Sequence, residues 1–346
     1  MLFRRGILVA AVMGIGLAVP GVAHAAPDDV LQAAPSARVV KTGDRVLVRG
    51  TLATSQERTV RLQRLVGRTW RTVAESSTTG TFALRLPTDT NGVEHYRVLA
   101  PAAGRAAEQV TPSFTVGVGA GDTRSHAFLT RTPVRWDPCT PVGYRVNLDG
   151  APPEALADVR RAVSLASAAS GVPFTYRGTT SMVPGSARTT GLENYPADTQ
   201  LVIAYTAPER TSYLRGRGDV LGVGGVFYDL SPERINNRAW HRTLQGYVVL
   251  NSTKSLPSGF GSGRSTGELG TWGQVLMHEI GHTMGLDHVN APMQIMHPET
   301  TEKEAVWGLG DLTGLHRLGA SAGCFSGSTN DVGRGPSRPI VVGHSR

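Results

Sequence analysis

The chain has 346 residues, 40% of them hydrophobic and 18% charged, which is enough for two ordinary domains and excludes a disordered chain. Its 42 glycines follow no G-X-Y period, and two cysteines cannot build a disulfide-dense miniprotein or a four-cysteine zinc module. The formal net charge of +8 is unevenly placed: residues 126–325 hold 17 Lys and Arg against 17 Asp and Glu, which argues against a nucleic-acid partner for that stretch.

Residues 1–25 read as a secretory signal peptide. Arg4 and Arg5 form its charged start, Ile7 to Val19 its apolar run, and Ala23-His24-Ala25 a small-x-small cleavage site. The apolar run is shorter than the roughly 20 residues a membrane span needs, and Pro20 and Gly21 interrupt it. The expectation is a secreted, extracellular protein that leaves the membrane on cleavage and can form disulfides.

Residues 27–118 carry short alternating segments, Arg45 to Gly50, Thr59 to Leu65, Thr69 to Val73, Thr81 to Leu86 and His95 to Leu99, separated by turn signals such as Gly67, Gly80 and Asn91-Gly92. Period-2 alternation with regular turns predicts a small all-β sandwich of Ig-like type, its arginines on solvated faces. No cluster of His, Cys or paired acids gives it chemistry. The run Gly117 to Gly121 introduces a glycine-rich linker over 119–126.

Over 127–325 the pattern changes. Strands are predicted at Val142–Leu148, Phe174–Arg177, Thr199–Tyr205, Gly222–Tyr228 and Gly246–Asn251. Helices are predicted at Pro153–Gly171 (Leu156, Val159, Val163, Leu165 and Ala166 inward), Leu269–Gly285 and Leu309–Leu318. This order gives an α/β or α+β domain. Residues 326–346, rich in Gly, Ser, Pro and Arg, read as a disordered tail.

One stretch carries chemistry, His278-Glu279-Ile280-Gly281-His282-Thr283-Met284-Gly285-Leu286-Asp287-His288. On a helix, His278 and His282 share one face, one turn apart, and can hold a single metal ion, with imidazole nitrogen suiting zinc. Glu279 is placed to accept a proton from a metal-bound water. Gly285 can take positive φ, end the helix and return His288 as a third ligand, leaving a fourth position open as catalytic zinc requires. Met296, in Gln294-Ile295-Met296-His297-Pro298, stands where a tight turn beneath the site would lie.

This HExxHxxGxxH pattern with its Met-x-Pro turn resembles a metzincin, specifically a matrixin, over residues 126–325. The resemblance implies an α+β catalytic domain with a twisted mixed five-stranded sheet, an active-site helix, a Met-turn and a C-terminal helix. It implies one catalytic zinc on His278, His282 and His288, Glu279 as general base, and Met296 as the Met-turn residue. Gly310-Asp311-Leu312-Thr313-Gly314-Leu315 is similar to the matrixin C-terminal helix, with Asp311 supporting the Met-turn and Gly310 where matrixins carry another Asp. Val289 and Pro298 also depart from related families, and no propeptide Cys exists in residues 26–138. No structural zinc set is recognisable around His241 or His297, and calcium is left unassigned.

Cys139 and Cys324 sit at the two ends of this domain and read as one disulfide, with a thiolate on zinc as the rival. The function expected is a monomeric secreted zinc endopeptidase acting on protein or peptide substrates. Strand Gly222–Tyr228 is expected at the upper rim of its cleft, its glycines admitting a peptide as an extra strand, with Pro298–Gly310 walling the primed side. The alternatives are an extracellular binding or adhesion protein with a vestigial zinc site, and a zinc hydrolase acting on another bond.

Overall fold

The computed structural model of the protein describes residues 30–186, 192–265, 268–327 and 337–342. The expected signal peptide lies outside the described residues, as do tail residues 328–336 and 343–346.

The N-terminal part is all β: β1 (Leu31–Pro35), β2 (Val39–Lys41), β3 (Val46–Leu52), β4 (Arg58–Val66), β5 (Thr69–Thr78), β6 (Thr81–Leu86), β7 (Gly92–Ala100), β8 (Gln109–Val110) and β9 (Phe114–Gly119). β1-β3-β6 make one sheet and β2-β9-β7-β4-β5 another, with β8 beside β7. Alternation dictates which residues face in. In β6, Phe82, Leu84 and Leu86 are buried while Thr81, Ala83 and Arg85 are exposed. Val46, Val48, Leu84 and Leu86 of one sheet meet Val60, Leu62, Val98 and Val116 of the other in a single core. Each such side chain contributes about 1.5–3 kcal/mol when fully buried.

The glycine-rich run after this unit is packed rather than free. Gly117 and Gly119 lie inside β9, a Cβ at Gly117 would touch the Leu312 side chain, and one at Gly119 would overlap the Leu309 backbone. The Leu309 N–H donates to the Ala120 carbonyl at 2.8 Å. Glycine here serves close approach to the last helix, a non-local demand that composition does not reveal.

The second part contains β10 (Ala127–Phe128), β11 (Val134–Arg135), β12 (Val142–Asn147), α1 (Ala155–Ser170), β13 (Phe174–Thr179), β14 (Leu201–Thr206), β15 (Gly222–Asp229), β16 (Glu233–Ile235), β17 (Arg238–Asn251), β18 (Arg264–Ser265), β19 (Glu268–Leu269), α2 (Trp272–Thr283), β20 (Leu286–Asp287), α3 (Leu309–Leu318) and β21 (Ser337–Val342). The main sheet runs β13-β12-β14-β17-β15-β21, with β11 and β16 also paired to β17. β12, β13, β14 and β17 are parallel neighbours, and β15 is antiparallel to β17. All six residues of β14 are buried, as a parallel strand covered on both faces requires. Val248 and Leu250 of β17 face α1 and α2, while Tyr247 and Val249 pack with Val223 and Phe227 on the other side.

Several details differ from the sequence reading. α1 buries Val159, Ala162, Val163 and Ala166 but leaves Leu156 and Leu165 half-buried. α2 starts at Trp272, where the Thr271 hydroxyl accepts the Gln274 N–H at 3.3 Å. β17 starts at Arg238 instead of Gly246, because Asn236 and Asn237 take φ of 51° and 63° and close a two-residue hairpin with β16. Part of the tail expected to be disordered is strand β21, paired antiparallel to the outer edge of β15.

Cys139 and Cys324 form a disulfide, Cα atoms 5.6 Å apart and 185 residues apart in sequence, so neither sulfur serves as a metal thiolate. In the chain-entropy model a loop of that length stabilises by about 5 kcal/mol. The native protein is expected to offer no thiol to an alkylating reagent and two after reduction, counted by mass. Two labelled thiols before reduction would refute the bridge. Among the described residues no helix is long and apolar enough to cross a membrane.

Candidate metal centre and active site

Every residue of α2 is buried, so the helix that carries His278, Glu279 and His282 is locked by packing. His278 and His282 are 2% and 0% exposed. After α2 the chain reverses at Gly285, whose φ of 102° and contact with the Val134 carbonyl leave no room for a side chain. β20 then pairs with β10, Ala127 opposite Asp287 and Phe128 opposite Leu286, and this fixes the return of His288.

The three Nε2 atoms converge. His278 to His288 is 3.0 Å, His278 to His282 is 3.1 Å and His282 to His288 is 3.2 Å. His278 Nδ1 donates to the Ile295 carbonyl at 2.7 Å and His282 Nδ1 to the Leu286 carbonyl at 2.9 Å. A carbonyl only accepts, so both Nδ1 atoms carry the proton and both Nε2 atoms present lone pairs to one another. Such lone pairs repel unless a cation lies between them. Nitrogens bound tetrahedrally to zinc at ~2.05 Å would be about 3.3 Å apart, so the donor set fits. Burial, and after it the neighbouring His288, pushes the His278 imidazole down to about 3, which keeps it neutral and able to ligate. His288 is half-buried and lies on the more open side of the cluster.

Glu279 is fully buried and lies against β15. A Cβ at Gly222 would sit 2.9 Å from Glu279 Cγ and 3.1 Å from its Oε1, and one at Gly224 would overlap the Glu279 backbone. The glycines of β15 that read as room for a peptide therefore make room for α2. The in-plane outer edge of β15 is a separate surface.

Met296 is buried beneath the histidines with its sulfur against Gly281, and Trp307 packs beside it at 2% exposure. The turn is held by Asp311 of α3, whose carboxylate accepts N–H groups from Ile295 at 2.6 Å, Met296 at 3.3 Å and Gly308 at 3.0 Å. Burial pushes this carboxyl up to about 7, while the backbone donors pull it down and stabilise its charge. Gly281→Ala is expected to lower stability by about 1–3 kcal/mol despite alanine's better helix propensity, because its methyl overlaps the Met296 sulfur. Thermal unfolding reads this, and an unchanged or higher Tm would show that the sulfur yields freely.

Sequence reasoning missed Gln294. It is 4% exposed, its Oε1 accepts the Asp311 N–H at 2.9 Å, and its Nε2 reaches the Ala120 carbonyl at 3.5 Å. It joins the turn, α3 and the N-terminal unit, and no local signal marks it. His297 and His241 stand apart from the cluster: His297 Nδ1 contacts the Glu299 backbone and His241 Nδ1 the Asp229 carbonyl. Among the described residues the other group able to hold a metal is Asp137, Cys139 and Cys324, whose sulfurs are joined to each other.

No curated protein matches the chain. A solved structure described as the structural basis of T cell specificity and activation by the bacterial superantigen toxic shock syndrome toxin-1 contains a chain 11% identical to this one. The match covers 26% of this chain and 99% of that chain, with a TM-score of 0.22. The family model described as Matrixin matches residues 260–318, the stretch that holds α2, the three histidines, the Met296 turn and all of α3, and this points to a metallopeptidase-type function.

Proposed function

We propose that the protein is a secreted zinc-dependent endopeptidase, with a metzincin-type domain over 127–325 preceded by an Ig-like sandwich. The reading is carried by the three Nε2 atoms 3.0–3.2 Å apart, two of their rings oriented by backbone carbonyls, with the buried Glu279 following His278 on the same helix. His278, His282 and His288 would hold zinc, which when bound acidifies water and polarises the scissile carbonyl. The Ile295 and Leu286 carbonyls orient two of the rings and raise their basicity. Glu279 takes the proton of the attacking water and returns it to the leaving amine. Its burial between α2 and β15 excludes bulk water and fixes the carboxylate.

The test is cleavage of denatured casein by the purified chain with and without a zinc chelator. Hydrolysis that stops with chelator and returns on adding zinc is expected. A zinc-loaded chain that leaves casein and random peptide mixtures intact would overturn the reading and favour a binding protein.

A further inference from the structure

We infer that the peptide-binding edge of β15 has an occupant within this chain, the segment Ser337–Val342, which competes with substrate. This rests on the peptidase reading above and adds a regulator of the same site.

Without β21, β15 would be the outermost strand of its sheet, with the N–H and C=O groups of alternate residues along Gly222–Asp229 facing outward. β21 pairs with that edge antiparallel, from Ser337 opposite Asp229 to Val342 opposite Gly224. Adding an extended peptide to an open sheet edge is a general mode of peptide recognition, and on the peptidase reading a substrate backbone would use this edge. The direction matters as well. β21 advances toward the Gly222 end of β15, and Gly222 is the residue that lies against the Glu279 carboxylate. Val342 stops two positions short of that point, and the sequence continues with Gly343-His344-Ser345-Arg346.

A second observation fixes where the segment starts. The chain is held through Gly327 by the Cys139–Cys324 bridge, by Arg135 Nη2 on the Gly323 carbonyl at 2.8 Å, and by Arg242 Nη2 on the Ser326 carbonyl at 3.0 Å. The Ser326 N–H donates to Glu233 Oε1 of β16 at 2.7 Å, and β16 follows directly on the Asp229 end of β15. Residues 328–336 then join an anchored point to the strand that begins opposite Asp229. A short connection of this kind gives an effective concentration of the order of millimolar, enough for a weak six-residue strand to compete.

Three chains decide it: the full chain, a chain ending at Gly327, and the full chain with Ile340→Pro and Val341→Pro, which removes donors at both parities of the strand. Hydrogen exchange reads occupancy without needing activity, and alternate amides of β15 are expected to lose protection in both variants. With fluorescein-labelled casein, KM is expected to fall about 3- to 10-fold in both variants with kcat unchanged, and the synthetic peptide of residues 337–346 to inhibit the shortened chain competitively. Equal exchange in all three chains overturns the proposal. Altered exchange with an unchanged KM also overturns it and leaves the peptidase reading standing. No hydrolysis by any of the zinc-loaded chains overturns the peptidase reading and the competition together.

Discussion

Replacing Glu279 by Gln or Ala is expected to lower kcat about 10²- to 10⁴-fold while the chain keeps its zinc and its fold. The size follows from what the side chain would do. It follows His278 directly on a fully buried helix, and its carboxylate is pressed against Gly222, where nothing larger than glycine fits. A group fixed so closely loses little freedom when it moves a proton. Gln keeps the volume and removes the basicity, so it separates chemistry from packing. Ala adds a cavity beside β15 and should also cost some stability. Metal content by mass, unfolding temperature and the rate on casein are measured on the same samples. One zinc per chain with a rate near that of the unaltered protein would remove Glu279 from the mechanism.

The parts of this site that were legible in the sequence are those set by local periodicity. The i, i+4 spacing of His278 and His282, the positive-φ requirement at Gly285 and the bounds of α3 follow from helix geometry, and β6 follows from alternation. What was not legible depends on residues far apart in the chain. Gly281 reads as a poor helix residue until the Met296 sulfur is placed on it. Gln294 reads as a loop polar residue until Asp311 and Ala120 meet it. The glycines of β15 have the composition of a strand open to a ligand, yet their free face is filled by α2. β21 lies in a segment whose Gly, Ser and Pro content predicts no structure, because a strand added to an edge is specified by the partner's exposed backbone more than by its own side chains.

His288→Ala is expected to weaken zinc binding far more than His297→Ala, and the reason is geometric. Both histidines follow α2 and both lie near the Met296 turn, so proximity in sequence does not separate them. Gly285 reverses the chain, β20 locks onto β10, and the Val289 N–H donates to the Met296 carbonyl at 3.0 Å, so position 288 is clamped on both sides. That clamp sets His288 Nε2 at 3.0 and 3.2 Å from the other two Nε2 atoms. His297 turns its Nδ1 to the Glu299 backbone instead and contributes no atom to the cluster. Losing a group that only orients a ligand typically costs about 10- to 100-fold in metal affinity, and losing a ligand itself should cost at least that. Zinc content is measured after dialysis against a weak chelator near pH 7, where proton competition for imidazole is small. His278→Ala gives the reference for a lost ligand, since its Nε2 and its Ile295 hydrogen bond place it in the cluster from the helix side. If His297→Ala loses its zinc while His288→Ala keeps it, the return at Gly285 delivers the wrong residue, and the three-histidine centre falls with it.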